Sequence, residues 1–295
     1  MSVELESAEK VPASDPGDTS REPVEVIFTL SPGHSGSTLL DQLISGHSEI
    51  VSGGEFRPVD HHVEKGCSCG VQDVCACPFW CQIAKVLQSH RADLKNIEAH
   101  ETDCFDFACY NHTLLRAMLR VSNCRTVMDS SKRRKGRLHN YLARPKLFKV
   151  WIVILARDPL QTVFSHRKRD RSVLKYCAKM NRRYFHQLRF APIASCFVRY
   201  ETLVAEPEAE LKRITKALNL EFEPLNQLMP ENNIYHHLGG NALIGDTLGN
   251  IRLDDAWKRG FTVREKLLVA LATLPSRLFI RLTQFIISAR SRFGR

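Results

Sequence analysis

The chain has 295 residues, 43% of them hydrophobic, and a formal net charge of +10. This composition allows one large α/β domain with a full core. No stretch of about 18 or more uninterrupted apolar residues occurs, which excludes an evident membrane-spanning segment. A basic surface suits an anionic cofactor, an acidic substrate, nucleic acid or a membrane surface, and the charge alone does not choose among them.

The first 23 residues differ in composition from the rest of the chain. They contain Ser, Pro, Gly and many acids without apolar periodicity, which predicts a disordered acidic tail over 1–23. The tail lacks the basic start and apolar block of a signal peptide, so we expect a cytoplasmic protein. Residues 24–295 then form a single domain.

Strand and helix patterns alternate along this domain. The strand patterns lie at 24–30, 125–128, 149–156 and 195–199. The helical patterns lie at 36–46, 79–90, 106–121, 132–142, 159–168, 172–189, 206–219 and 263–290, with a break at Pro275. This alternation predicts an α/β fold with an open, mostly parallel sheet flanked by helices. Ligands of such sheets bind at the carboxyl ends of the strands.

The first strand leads into a loop with the sequence "SPGHSGSTLL". Gly36 and Thr38 fit the phosphate-loop pattern of nucleotide triphosphatases, whereas Ser31 and Ser37 replace its first glycine and its lysine. The remaining backbone N–H groups and the positive end of the next helix can hold a phosphate or sulfate without a tightly held metal. The alternative is an ordinary Gly-Ser turn that caps a helix.

A second candidate anion site follows the most apolar strand pattern. Arg157 comes directly after that strand, Asp158 and Pro159 are suited to the N-cap and first position of a helix, and Ser165 lies eight residues further on. The arginine and serine could clamp a phosphate together. Alternatively, Arg157 pairs with a structural carboxylate such as Asp158.

Five of the ten cysteines lie in the segment "CSCGVQDVCACPFWC" at 67–81. The absence of a signal-peptide pattern argues against a secreted disulfide framework. The C-x-C spacing also differs from the paired C-x-x-C of common zinc sites. Zinc binding, redox-active disulfides and free thiols all stay open for this segment.

The two predicted anion sites, each at a strand end, resemble those of the sulfotransferases that use 3′-phosphoadenosine 5′-phosphosulfate (PAPS). The segments "VMDSSKRRKGRL", "FVRYETLVAEPEAELKRITKALNLEFE" and "HHLGGNALIGDTLGNIRLDDAWK" are similar to further parts of that family. The resemblance implies a fold like that of P-loop nucleotide triphosphatases. It also implies transfer of a sulfonate to an acceptor hydroxyl or amine on a carbohydrate, lipid, small molecule or peptide. It requires no metal and no nucleic acid partner.

The resemblance also implies which residues bind the donor. The "GHSGST" loop takes the 5′-phosphosulfate, Arg157 with Ser165 takes the 3′-phosphate, and a G-G-N segment closes the site. The implied donor-binding residues are Gly33, His34, Ser35, Gly36, Ser37, Thr38, Arg157, Ser165, Gly240 and Asn241.

Three residues have implied catalytic roles. Glu55 in "GGEF" would be the general base, with Gly53 and Gly54 allowing close approach of a ligand, and Lys132 would stabilise the leaving phosphate. His34 stands where the family usually has Arg or Lys, so its role shrinks or becomes that of a pH-sensitive donor or base.

Structural explanations exist for these three residues as well. Glu55 could cap a helix or pair with Arg57, Lys132 could be a surface lysine, and His34 could cap the turn. Asp129 is a further candidate base, or else it orients Lys132.

Three other functions compete with the sulfotransferase interpretation. The first is a P-loop nucleotide-dependent kinase in which Asp129 holds magnesium. The second is a non-enzymatic binder of an anionic polymer or membrane. The third is a sulfotransferase that binds PAPS without activity, which His34 keeps open.

Residues 276–295 predict a basic amphipathic C-terminal helix. Arginines alternate there with apolar positions that include Leu278, Leu282 and Phe285. We expect this apolar face to pack on the domain. Peripheral contact with an anionic membrane is the alternative.

Overall fold

The computed structural model describes residues 22–56, 67–89, 107–132, 135–167, 172–224, 235–238 and 256–293. Almost all of the predicted disordered tail falls outside these residues, as do Gly240 and Asn241.

Five parallel strands form one open sheet in the order β2-β3-β1-β4-β5. The strands are β1 (Val24–Leu30), β2 (Ile50–Ser52), β3 (Thr126–Asp129), β4 (Phe148–Ala156) and β5 (Cys196–Arg199). The predicted α/β fold with a parallel sheet is therefore confirmed. Because all strands run in one direction, their carboxyl ends lie along a single edge of the sheet.

Eleven α-helices are described around the sheet. They are α1 (Ser37–Ser45), α2 (Pro78–Ser89), α3 (Phe107–Ser122), α4 (Lys135–Leu142), α5 (Pro159–Arg167), α6 (Val173–Leu188), α7 (Tyr200–Ala205), α8 (Pro207–Ala217), α9 (Ala256–Gly260), α10 (Val263–Ala272) and α11 (Leu274–Phe293). The sequence pattern did not predict α7 and α9. The helix predicted to begin at residue 132 begins at Lys135, so Lys132 lies in a turn.

The central strands are apolar on both faces because each face meets helices. On β1, Val26 and Phe28 belong to one core layer, whereas Ile27 belongs to the layer on the opposite side of the sheet. On β4, Ile154 and Leu155 divide between the two layers in the same way. This double burial explains the continuous apolar runs that predicted a parallel sheet.

The C-terminal helix α11 packs on the domain, as expected, but through a different face. Ile280 and Ile287 are buried, whereas the predicted packing positions Leu278, Leu282 and Phe285 are 54%, 39% and 70% exposed. The packing prediction for these three positions is therefore wrong, because the face of α11 that meets α6 carries the isoleucines. The exposed face keeps membrane contact as a prediction.

The break predicted at Pro275 falls at Thr273, between α10 and α11. Proline is tolerated in the first turn of α11, where its missing N–H would have no partner within the helix. No single helix among the described residues is long and apolar enough to cross a membrane. Within the described ranges, α10 and α11 taken together, bent by 54° at their junction, meet that criterion of length and composition.

Candidate active site

The loop between β1 and α1 has the backbone shape of an anion cradle. His34 and Gly36 have φ angles of 65° and 88°, and Ser35 Oγ donates a 2.5 Å hydrogen bond to the Pro32 carbonyl. Gly36 is the N-cap of α1. Since it has no side chain, it leaves the N–H groups of the first helical turn for another acceptor.

Gly36 is also required by a close contact with Tyr200. A Cβ atom added at Gly36 would lie 2.1 Å from Tyr200 Cδ2. The face of the same tyrosine ring lies 4.3 Å from the guanidinium carbon of Arg157. Tyr200 therefore packs against both candidate anion sites. Its place at the start of α7, directly after β5, gives it this reach.

Arg157 is buried at the carboxyl end of β4 and points toward the loop. Its Nη1 donates to the His34 carbonyl at 3.3 Å, and its Nε donates to Gln161 Oε1 at 3.2 Å. In the part of the chain that the structure describes, no carboxylate lies within ion-pair distance of Arg157. Asp158 caps α5 instead, accepting from the Leu160 N–H at 2.8 Å. The predicted N-cap is confirmed, and the predicted alternative partner of Arg157 is used elsewhere.

Lys132 and Glu55 form a nearly buried ion pair beside the loop. Lys132 Nζ lies 2.6 Å from Glu55 Oε1, with the two side chains 10% and 11% exposed. The same Nζ donates to Ser37 Oγ at 2.7 Å. Lys132 is therefore no surface lysine. The three residues in contact lie in the segments that follow β1, β2 and β3.

The segment after β2 is fixed by backbone contacts with the segment after β3. The Gly54 carbonyl accepts from the Ser130 N–H at 3.1 Å, and the Phe56 N–H donates to Ser131 Oγ at 3.0 Å. We expected Gly53 to leave room for a ligand, but it does not. A Cβ added there would lie 3.0 Å from Trp80 and 2.8 Å from Phe56. Rings of the protein fill that space.

Asp129 has a structural role at the end of β3. Its Oδ2 accepts from Arg137 Nε at 3.0 Å and from the Tyr141 hydroxyl at 2.9 Å, and its Oδ1 accepts from the Ser131 N–H at 2.8 Å. Burial raises the pKa of Tyr141 well above its usual value, so the hydroxyl stays a donor. Asp129 thus holds the turn that carries Lys132. Both of its carboxylate oxygens already accept hydrogen bonds from other parts of the protein.

The imidazole of His34 packs against α5. Its ring meets the His166 ring edge-on at 5.2 Å, and His166 stacks on Tyr176 at 3.6 Å. The Tyr176 hydroxyl donates to the Gly33 carbonyl at 3.1 Å. Half-buried Ser165 precedes His166 on α5. His34 thus lies against α5, the helix that carries Ser165, and the predicted roles of both residues stay predictions.

A cavity of about 240 Å³ opens beside Lys132 and the end of β1. Cationic groups of α6 form one side of it, and the Ser31 hydroxyl has no hydrogen-bond partner within the described part of the chain. The polar and charged residues at the cavity are Ser31, Lys132, Lys179, Arg182, Arg183, His186 and Gln187. The wall formed by α6 is therefore strongly basic.

Sequence reasoning missed two residues that shape this site. Tyr200 occurs in the quoted "FVRYETL" segment, but no spacing rule indicates that its ring contacts Gly36. The ring stack on Tyr176 was missed for the same reason. An aromatic residue directly after a strand end was the only available signal for Tyr200.

The chain was compared with known proteins and solved structures. No curated protein matches the chain. The sulfotransferase domain from the curacin biosynthetic pathway has a TM-score of 0.48 and 18% identity, covering 85% of this chain and 98% of that domain. The sulfotransferase domain from the Synechococcus PCC 7002 olefin synthase has a TM-score of 0.45 and 18% identity, covering 86% of this chain and 95% of that domain.

A family model also matches the chain. Residues 26–224 match the model of the sulfotransferase family. The matched stretch contains the loop after β1, Glu55, Lys132 and Arg157. The chain belongs to the sulfotransferase family.

Proposed function

We propose that the protein transfers a sulfonate group from PAPS to an acceptor hydroxyl or amine. The observation that carries this proposal is the environment of Arg157. This buried guanidinium contacts the carbonyl of His34 in the loop, and no described carboxylate neutralises it. A buried cation at the carboxyl edge of a parallel sheet calls for an anionic ligand, because an unpaired buried charge is costly.

The two halves of the donor would bind on either side of Tyr200. The amides of residues 34–38 would hold the 5′-phosphosulfate, and Arg157 with Ser165 would hold the 3′-phosphate. The close approach of Tyr200 supports this fit. Only a glycine can stand at position 36 beside that ring, and a glycine leaves the loop backbone accessible to a ligand. Gly240 and Asn241 keep their predicted place in the donor site and lie outside the described residues.

Bound PAPS supplies an activated sulfonate. The acceptor oxygen forms a bond to sulfur while the bond from sulfur to the phosphate oxygen breaks, and negative charge grows on the leaving phosphate. Lys132 and the loop amides would stabilise that charge. Glu55 would take the proton of the acceptor, because its carboxylate already lies at 2.6 Å from the same lysine.

Lys132 also accounts for the lysine that the loop lacks. Ser37 occupies the position of the lysine in the triphosphate-binding pattern, and Lys132 Nζ lies 2.7 Å from its hydroxyl oxygen. The amine of Lys132, which follows β3, thus lies beside Ser37, where the loop has no lysine of its own. The cradle keeps a positive charge, but that charge comes from a different strand.

A nucleotide-dependent kinase fits the site less well. Such an enzyme would use Asp129 for magnesium, but Asp129 is fully buried and bonded to Arg137, Tyr141 and the Ser131 N–H. Tighter binding of Mg–ATP than of 3′-phosphoadenosine 5′-phosphate (PAP), the product form of the donor, would favour the kinase.

Arg157→Ala is expected to weaken PAP binding by about 10- to 100-fold, the cost of losing hydrogen bonds to a charged group. Isothermal titration calorimetry measures this affinity. Adenosine 5′-phosphosulfate is the matched ligand, since it lacks the 3′-phosphate and should lose little affinity. Exposed Arg189→Ala is the matched variant. Equal losses of affinity for both ligands would show that Arg157 does not bind the 3′-phosphate.

The cavity beside Lys132 suggests the chemical class of the acceptor. The hydroxyl of the acceptor would enter next to Lys132 and Glu55. Lys179, Arg182 and Arg183 line the wall formed by α6. These cations favour an acceptor that carries a carboxylate, phosphate or sulfate near the reacting hydroxyl. We therefore propose an anionic acceptor.

Transfer of labelled sulfonate to paired acceptors, each with and without an acid group, tests this proposal. We expect the acidic member of each pair to react preferentially, and Arg182→Ala to raise its KM about tenfold with little change in kcat. Exposed Lys175→Ala on the same helix is the control. Preference for the neutral members would overturn the anionic class, whereas absence of any label transfer would count against the sulfotransferase activity itself.

A further inference from the structure

Three cysteines of the 67–81 segment meet a histidine that is distant in sequence. The ligand atoms of Cys67, Cys69, Cys77 and His236 all lie within 4.8 Å of one another. His236 Nδ1 lies 3.2 Å from Cys77 Sγ and 3.9 Å from Cys67 Sγ. Cys67 and Cys77 are buried, and the other two ligands are half-buried. The convergence of two separate segments on one small volume indicates a built site.

We propose that these four residues bind a structural zinc ion. Zinc prefers a tetrahedron of thiolate and imidazole ligands, in which a nitrogen about 2.0–2.1 Å and a sulfur about 2.3 Å from the ion stand about 3.6 Å apart. The observed spacings between Nδ1 and the sulfurs bracket that edge length. Four protein ligands leave no open position, so the ion would support the fold and take no part in sulfonate transfer.

A zinc site explains this cluster better than a disulfide does. A disulfide would use two of the three thiols and leave the third beside it unpaired. It would also give no role to His236, whose Nδ1 is directed at the sulfurs of Cys67 and Cys77. Three soft thiolates with one imidazole form a donor set that selects zinc over magnesium or calcium.

Contacts outside the cluster fix the orientation of His236. Its ring stacks on Phe79 at a centroid distance of 5.2 Å and an interplanar angle of 18°. Its carbonyl accepts from Trp80 Nε1 at 2.8 Å. Both partners lie at the start of α2, immediately after Cys77. These two contacts fix the position of His236 before an ion arrives.

The C-x-C turn and the histidine segment are also joined through Ser68, which lies between two of the proposed ligands. Its N–H donates to the His237 carbonyl at 3.1 Å, and its hydroxyl donates to the Tyr235 carbonyl at 2.5 Å and accepts from the His237 N–H at 2.8 Å. The Leu238 N–H then donates to the Gly53 carbonyl at 2.9 Å. The proposed zinc would thus stabilise the segment that precedes Glu55.

Metal analysis of the full-length chain, purified without chelators, tests the site. We expect about one zinc per chain in the native protein. Cys77→Ser should lose that zinc, whereas Cys75→Ser, which changes an exposed cysteine of the same segment, should retain it. His236→Cys should also retain zinc, because a fourth thiolate can replace the imidazole.

Cobalt exchange in the native protein gives a second measurement that needs no variant. The cobalt form should show charge-transfer bands from sulfur and the absorption of a tetrahedral site. The proposal fails if the native protein neither contains nor binds zinc, if its intact mass shows a disulfide in place of metal, or if Cys77→Ser keeps its zinc. None of these measurements depends on sulfotransferase activity, so the two proposals stand or fall separately.

Discussion

Replacing Lys132 with Met is expected to lower kcat for sulfonate transfer by about 10²- to 10³-fold, the usual cost of removing one donor from a developing oxyanion. The amine lies between the loop hydroxyl of Ser37 and the carboxylate of Glu55. Its charge is therefore available where the leaving phosphate would accumulate negative charge. Steady-state kinetics with saturating donor and acceptor measure the loss.

The same substitution has a second effect that must be separated from the first. It removes the Lys132 ammonium from the nearly buried ion pair with Glu55, and breaking such a pair typically lowers the free energy of unfolding by about 3–5 kcal/mol. The double variant Lys132→Met/Glu55→Gln should recover much of that stability without recovering kcat. Exposed Lys146→Ala should change neither quantity. If the double variant regained activity along with stability, neither Lys132 nor Glu55 would act directly in the transfer.

Glu55→Gln is expected to lower kcat by about 10²- to 10⁴-fold, the range for loss of a general base. PAP affinity should change little, because the proposed donor contacts are made by the loop and Arg157. The amide keeps the size of the carboxylate but cannot accept a proton at neutral pH. Kinetics of label transfer and PAP titration on the same preparations measure both quantities.

An alternative role for Glu55 is to hold Lys132 in position. Acceptors of graded acidity distinguish the two roles. If Glu55 is the base, the loss in kcat should shrink for acceptors that ionise easily, since they need less help to lose the proton. A loss of the same size across the series would assign Glu55 to positioning alone. The matched binding control is again PAP.

The parallel sheet and the Arg157 site could be predicted because their signals are local. The run in β4 is apolar because both of its faces are buried, and Arg157, Asp158 and Pro159 follow it in the order that ends a strand and begins a helix. The family resemblance added roles for Glu55 and Lys132. It did not reveal that these two side chains contact each other.

The contacts that sequence reasoning missed join residues far apart in the chain. The pairing of Glu55 with Lys132 depends on β2 lying beside β3, and β2 has only three residues to signal its presence. His236 meets the cysteines from a separate segment, so cysteine spacing alone left zinc, disulfides and free thiols open. The apolar pattern of α11 showed an amphipathic helix, but the buried face is set by its contact with α6.

The position of β1 at the centre of the sheet has a consequence for biosynthesis. Its two neighbours, β3 and β4, begin at Thr126 and Phe148, long after β1 has left the ribosome. At ordinary rates of synthesis the first strand waits roughly 5–20 s for its first partner. During that interval an apolar strand with unpaired edges is a target for chaperones and for association between nascent chains. Pairing of β1 within the sheet thus cannot begin before β3 has been translated.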